Sequence, residues 1–122
     1  MKPRVFVVQP IPAVGIEILK HYAEVEVYPF TDQQISVDDM IGAAKRSDYI
    51  FAMHETTIPE SVIAANPNLK GIVGGPNSLT IDVQACDRHG VPLLYQTPAL
   101  GTSRYLGVSR ATADLTVAMI LN

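Results

Sequence analysis

A Gly74-Gly75-Pro76-Asn77 turn follows the apolar run Gly71-Ile72-Val73. Glycine lacks a Cβ, so an anion can approach the main-chain N–H groups of such a turn closely. The same residues suit a tight turn that only ends a strand. Spacing alone leaves both readings open. His54, with Glu55 beside it, follows the buried-type run Tyr49–Met53. An imidazole there, titrating near neutrality, would hydrogen-bond a carboxylate or keto oxygen; the plainer alternative is a solvated loop histidine. His21 and His89 fall in late helical turns, where an imidazolium suits the dipole, and read as structural. Cys86 shares a helix with Val83 and reads as a small core residue. Asp82, Asp87 and Arg88 read as the solvated face of that helix. Arg104 and Arg110 flank a loop-like stretch from Thr97 to Gly107; they would steer an anion or, more simply, face solvent or a partner.

Composition narrows the classes. The chain has 122 residues, with Lys+Arg 9 against Asp+Glu 12 and a formal charge of −3. Its length suits one domain of ordinary size. Hydrophobic residues make up 48% and charged residues 17%, enough apolar material for a core and too little charge for disorder. The basic residues are scattered, so no nucleic-acid footprint is expected. One cysteine excludes an intramolecular disulfide and a cysteine zinc cluster. No apolar run approaches the ~20 residues of a membrane helix. The start, Met1-Lys2-Pro3-Arg4-Val5, runs straight into a strand pattern and is not a signal peptide. The expected location is the cytoplasm.

Periodicity supplies the elements that would position the turn. Val5–Val8 is a short apolar run of the kind buried on both faces of a parallel sheet. Pro10 and Pro12 end it. Val14, Ile18, Leu19 and Tyr22 recur at helical spacing over Ala13–Tyr22. Glu24–Tyr28 alternates polar and apolar, as an edge strand does. Ser36 with Asp39 three residues on marks a helix start, and Met40, Ile41 and Ala44 form its inner stripe. After the strand Tyr49–Met53, Pro59 fits the first turn of a helix through Val62 and Ile63 that stops by Asn66-Pro67. Gly71–Val73 is the next buried strand. Thr80 would cap a helix over Ile81–His89, with Gly90 as its left-handed end. Leu93–Tyr95, beside Pro92, is a last edge strand. Ser109–Leu121 reads as a helix with Ala111, Leu115, Ala118 and Met119 on one stripe, and Val117 and Ile120 make it apolar nearly all round.

Strands alternating with helices predict an α/β fold with right-handed crossovers. The two edge strands give a doubly wound, flavodoxin-like, five-stranded parallel sheet in the order 2-1-3-4-5, plus a C-terminal helix. Ligands of such sheets bind beyond the carboxyl ends of the strands. That rule selects Gln9-Pro10, His54-Glu55, Gly74–Asn77 and Gln96-Thr97-Pro98. The acidic cluster of a phosphoryl-accepting receiver is missing at these places. So are a Ser/Thr-rich flavin-phosphate loop, G-x-G-x-x-G and G-x-x-x-x-G-K-[ST].

Asn66-Pro67-Asn68-Leu69-Lys70, the strand Gly71–Val73, the Gly74-Gly75-Pro76 turn, Ile81-Asp82-Val83-Gln84-Ala85-Cys86, Arg88-His89-Gly90-Val91-Pro92-Leu93-Leu94 and Gln96-Thr97-Pro98 occur in that order. Together they resemble the amino-terminal half of the D-isomer-specific 2-hydroxyacid dehydrogenases. That family reads P-N-L-K, strand, glycine turn, I-D with small residues, R-G-I-P-V and N-T-P. Ala111-Thr112-Ala113-Asp114-Leu115 resembles its next helix, and Lys2–Gln9 with Ile16-Glu17-Ile18-Leu19 also fits. The resemblance covers essentially the whole chain.

The resemblance implies a substrate-binding domain over 1–108. The helix of 109–122 in the family leads into a nicotinamide-binding Rossmann domain that this chain lacks. It implies NAD or NADP in the full-length family enzyme, none bound by this chain, and catalytic Arg, Glu and His outside it; His54 and His89 are not those residues. The family's turn offers two consecutive N–H groups to the substrate carboxylate. Counting from Ile81-Asp82 places them at Pro76 and Asn77, where Pro76 has no N–H. Counting from the glycines places them at Gly74 and Gly75, which preserves both donors and is preferred. The loop Gly101–Gly107 is longer than the family's usual link.

The expected substrate-binding set is Gly74, Gly75, Pro76, Asn77, His54 and Thr97, with no catalytic, cofactor or metal residue. The expected function is interconversion of a 2-keto acid and a D-2-hydroxy acid by the full enzyme, with this portion inactive alone. The rival is a stand-alone interaction or small-anion-binding module. Expected partners are a weakly bound small 2-keto or 2-hydroxy acid, the missing Rossmann domain, and a second copy through the C-terminal helix; nucleic acid and membrane are excluded.

Overall fold

The computed structural model describes residues 2–52, 56–74 and 81–95. Strands and helices alternate: β1 (Arg4–Val7), α1 (Ala13–Lys20), β2 (Glu24–Val27), α2 (Val37–Lys45), β3 (Tyr49–Phe51), α3 (Glu60–Ile63), β4 (Gly71–Gly74), α4 (Val83–Arg88) and β5 (Leu93–Tyr95). The sheet is parallel, and its body runs β2-β1-β3-β4, consistent with the flavodoxin-like order. β5 pairs with β4 at the outer edge, with Ile72 opposite Leu93 and Gly74 opposite Tyr95.

The three central runs are buried on both faces. Val5, Phe6 and Val7 in β1, Tyr49, Ile50 and Phe51 in β3, and Ile72 and Val73 in β4 are all buried. That accounts for their unbroken apolar character. β2 alternates exposed Glu24 and Glu26 with half-buried Val25 and Val27, as an edge strand should. β1 to β2 steps one way across the sheet, and every later crossover steps the other way. Right-handed connections therefore put α1 on one face and α2, α3 and α4 on the other. Contacts of α3 with both α2 and α4 agree.

Local chemistry sets the helix ends. Ser36 Oγ accepts from Asp39 N at 3.1 Å, the expected cap of α2. At the end of α4, Gly90 adopts φ +66°. There Val91 N donates to Cys86 O at 2.9 Å and Gly90 N to Asp87 O at 3.2 Å. This is a Schellman closure, which an L side chain at position 90 would strain. Asn66 ends the α3 region: its Nδ2 donates to Ala44 O and Ser47 O, both at 2.9 Å, and its Oδ1 accepts from Asn68 N at 2.8 Å.

Several expectations are corrected. α1 stops at Lys20 and turns Gly15 and Leu19 inward, leaving Val14 and Tyr22 exposed. The 14–18–22 stripe runs along its flank. Ala43 joins Met40 and Ala44 on the inner face of α2. Pro59 precedes α3 as its N-cap, with its carbonyl accepting from Val62 N at 3.1 Å. α4 starts at Val83, later than expected, and its cap is Asp82, whose Oδ1 accepts from Ala85 N at 3.0 Å. The cause is a parallel bridge between Ile58 and Ile81, with Asp82 N donating to Ile58 O at 3.0 Å, which keeps the chain extended up to the cap. Asp82 is therefore a cap, and Val83 is exposed; Cys86 is buried beside Ala85. Thr80, Met53, the Thr97–Gly107 loop with Arg104, Arg110 and the helix of 109–122 lie outside the described residues.

Candidate functional site at the carboxyl edge of the sheet

Because the strands are parallel, β1, β3, β4 and β5 all end on one edge. The ladder extends one residue further there: Val8 N donates to Phe51 O at 3.2 Å and Ala52 N to Val73 O at 2.7 Å. On the outer side Tyr28 N donates to Val7 O at 2.9 Å. Val8 and Ala52 are buried, which anchors the exits of β1 and β3 rigidly against the core.

Of the six expected site residues, Gly74 lies within the described residues. It is buried at the last position of β4, in register with Tyr95. Gly75, Pro76, Asn77, His54 and Thr97 lie outside them. β3, β4 and β5 are consecutive neighbours in the sheet. Adjacent strands lie about 4.8 Å apart. Ala52, Gly74 and Tyr95 therefore lie at one edge within about two strand spacings.

A cleft of about 340 Å³ lies on the same edge toward β2, lined by Gln9, Pro10, Phe30, Thr31, Asp32, Gln33 and Gln34. Gln33 Nε2 donates to the Tyr28 hydroxyl at 2.8 Å, and the Tyr28 and Phe30 rings meet edge to face at 5.4 Å. The carboxyl-edge rule picked Gln9-Pro10 here; extending it to the end of β2 would also have picked Phe30–Gln34. The lining carries one charge, that of Asp32. The cleft therefore offers amide and hydroxyl groups and no cation. A larger cleft of about 530 Å³ sits at the opposite, amino edge, among Lys2, Arg4, Glu24, Asp48, Tyr49 and Lys70. Its polar groups hold the chain together: Asp48 Oδ2 accepts from Arg4 N at 2.8 Å, and Lys70 N donates to Asp48 O at 2.7 Å.

Among the described residues, His89 and Cys86 have structural surroundings. His89 Nε2 lies 3.3 Å from Glu60 Oε2, an oxygen that also accepts from Arg88 Nη2 at 2.7 Å. Burial pushes the Cys86 thiol above its ordinary value, with Asp82 and Asp87 adding to the shift. That is the reverse of an activated thiolate. Among the described residues no group of His, Cys, Asp and Glu is arranged to hold a metal. Among them no helix is long and apolar enough to cross a membrane.

The profile of the D-isomer specific 2-hydroxyacid dehydrogenase catalytic domain matches residues 5–116. The chain belongs to that family. Its relatives include the glyoxylate reductases of Thermococcus kodakarensis and Pyrococcus horikoshii. They are 32% and 31% identical to it over 99% of this chain and 34% of each relative. The chain thus spans about a third of the length of the curated relatives it matches. A Pyrococcus horikoshii protein of solved structure superposes with a TM-score of 0.71 at 26% identity, over 82% of this chain and 29% of that one. The NAD+-bound 3-phosphoglycerate dehydrogenase of Entamoeba histolytica shares the fold, with a TM-score of 0.66 at 20% identity over 78% of this chain and 33% of that one. In the family, then, this sheet is part of the catalytic domain.

Proposed function

We propose that this chain is the substrate-domain portion of an NAD(P)-dependent D-2-hydroxyacid dehydrogenase, with residues 1–108 as the domain and 109–122 leading toward a cofactor domain. The observation that carries this reading is the family match over residues 5–116 together with Gly74 closing β4 at the ligand edge. The main-chain N–H groups of the Gly74-Gly75-Pro76-Asn77 turn bind the carboxylate of a small 2-keto or 2-hydroxy acid. His54 and Thr97, on the segments that follow the neighbouring strands β3 and β5, complete the pocket.

Among the described residues, the start of α4 does not fit a nicotinamide dinucleotide. A dinucleotide pyrophosphate needs a glycine-rich turn opening directly into a helix N-terminus. Here α4 begins with the Asp82 carboxylate accepting from Ala85 N, and its charge repels a phosphate. No hydride-transfer step is therefore assigned to these residues; their task is to bind and orient the acid. A main-chain hydrogen bond to a charged group contributes roughly 1.5–3 kcal/mol. One or two such bonds without a cation give binding in the millimolar range. The same reading places the protein in the cytoplasm.

Glyoxylate and oxalate titrated into ¹⁵N-labelled protein test the proposal. Saturating shifts at Gly74, Gly75 and Asn77 are expected, while the same sample neither quenches NADH fluorescence saturably nor reduces glyoxylate. Shifts confined to Gln9 and Phe30–Gln34 would mean that the acid uses the other cleft. Micromolar NADH binding would overturn the domain assignment.

A further inference from the structure

β3 and β4 are tied together twice, once where they leave the sheet and once beyond it. The first tie is the bond from Ala52 N to Val73 O, 2.7 Å long. The second is an isolated parallel bridge between Ile58 and Ile81, where Asp82 N donates to Ile58 O at 3.0 Å. Ile58 is 0% exposed and Ile81 5%, and both belong to the core cluster. The bridge is therefore a buried part of the fold and not a surface contact. α3 follows it after Pro59 and α4 after Asp82, and Glu60 with Arg88 joins the two helices again.

The two ties differ in register. Phe51 stands opposite Val73 in the sheet, and Ile58 stands opposite Ile81 at the bridge. The chain after β4 thus takes one residue more than the chain after β3 to pass from the first tie to the second. An extra residue on one side interrupts a regular ladder. Ladder pairing therefore cannot carry the register of the sheet through to the bridge. The far tie is held by its own contacts: the Ile58 and Ile81 side chains in the core and the N–H of Asp82.

The longer stretch contains Gly75, Pro76 and Asn77. Fixing both ends of a chain segment reduces the number of conformations open to it. Less ordering is then left for a ligand to impose, and affinity rises accordingly. Ile58, Ile81 and Asp82 need not touch the ligand for this to hold.

We propose that Ile58, Ile81 and the main-chain N–H of Asp82 are positioning residues for the carboxylate site. They fix the far end of the chain after β4 to the chain after β3, so that affinity for a small carboxylate depends on a bond outside the site. This inference rests on the carboxylate reading given above. It gives Asp82 two separable tasks: its side chain caps α4, and its N–H holds the bridge.

Asp82→Pro and Asp82→Ala separate the two tasks. Both variants lose the cap, and only proline also loses the N–H. Asp82 has φ −73°, which proline adopts without strain, and the bridged Ile81 before it is extended, as proline requires. Oxalate dissociation constants are read from ¹⁵N shifts in both variants and in wild type. Asp82→Pro should bind about fivefold or more weakly than Asp82→Ala, with faster amide exchange at Ile58 and the signals of β1 unmoved. Equal affinity in the two variants, while wild type binds oxalate, overturns the inference and leaves the carboxylate reading standing. No saturable oxalate shift in wild type removes both. Asn66→Ala, destabilised at the amino edge of the sheet, should bind oxalate like wild type; a loss there as large as in Asp82→Pro would mean that affinity only follows global stability, and overturns the inference. Ile81→Ala and Ile81→Val provide a second check should the proline variant not fold. Alanine should weaken oxalate binding and valine restore most of it, whereas equal affinities would overturn the positioning role.

Discussion

Arg88 Nη2 lies 2.7 Å from Glu60 Oε2, and Arg88 Nε reaches the same oxygen at 3.1 Å, so one arginine clasps α4 to α3. His89 Nε2 adds a third contact at 3.3 Å. These two short helices have few turns of their own to hold them, so the clasp helps set their mutual position.

The Glu60 clasp makes stability acid-sensitive. The hydrogen bond from Arg88, then its charge, holds the Glu60 carboxyl below its ordinary value of 4.5. A depressed carboxyl stabilises the fold above the unfolded value, and that contribution is lost as pH falls through the folded one. Glu60→Gln should therefore lower the urea midpoint at pH 7 and converge with wild type as pH falls through the folded-state value. A constant offset across that range would contradict the assignment.

Asn66 should tolerate substitution poorly. Its Nδ2 satisfies the carbonyls of Ala44 and Ser47 at once. Asn66→Ala should cost roughly 1–3 kcal/mol, because Ser47 O loses this donor and Ala44 O keeps only that from Ser47 N. Asn66→Asp should cost more at pH 7, because it sets a carboxylate against two carbonyl oxygens. Urea denaturation measures both; an aspartate variant as stable as the alanine one would argue against this role.

The two side-chain caps should behave alike. Ser36→Ala in α2 and Asp82→Ala in α4 each remove an acceptor from a helix N–H. Each should cost about 1 kcal/mol by chemical denaturation. If Asp82→Ala proves neutral, the Ile58–Ile81 bridge alone sets the start of α4.

Cys86 should react as a structural thiol. It is buried in α4, and burial raises its pKa. A thiol reagent should therefore label it slowly in native protein and rapidly in urea. Fast labelling of the native state would mean that α4 opens readily.

The strands were legible because parallel, doubly covered β-runs such as Val5–Val8 and Gly71–Val73 carry an unbroken apolar signature. Ser36 and Gly90 were legible because caps and left-handed ends demand particular residue types. The α4 cap was misplaced because a long-range contact, Ile58 with Ile81, decides where the helix may start, and no local pattern records it. The inward face of α1 was misjudged for a related reason: Gly15 and Leu19 face the sheet, while Val14 remains outside despite its apolar side chain. For the site, the sheet rule points to the carboxyl edge, where Gly74 ends β4. The Phe30–Gln34 side of the cleft carries no glycine turn that would mark it in the sequence.

On the proposed function, main-chain donors of Gly74–Asn77 hold a substrate carboxylate. The most direct measurement is the ratio of oxalate dissociation constants for Gly75→Val and wild type, read from ¹⁵N shifts under one set of conditions. Losing one hydrogen bond to a charged group, roughly 1.5–3 kcal/mol, corresponds to at least about a tenfold weakening. That loss is expected, with the signals of β1, β3 and β4 unmoved. Equal affinity in the two proteins, with the sheet intact in both, would contradict it and leave the turn as no more than the end of a strand.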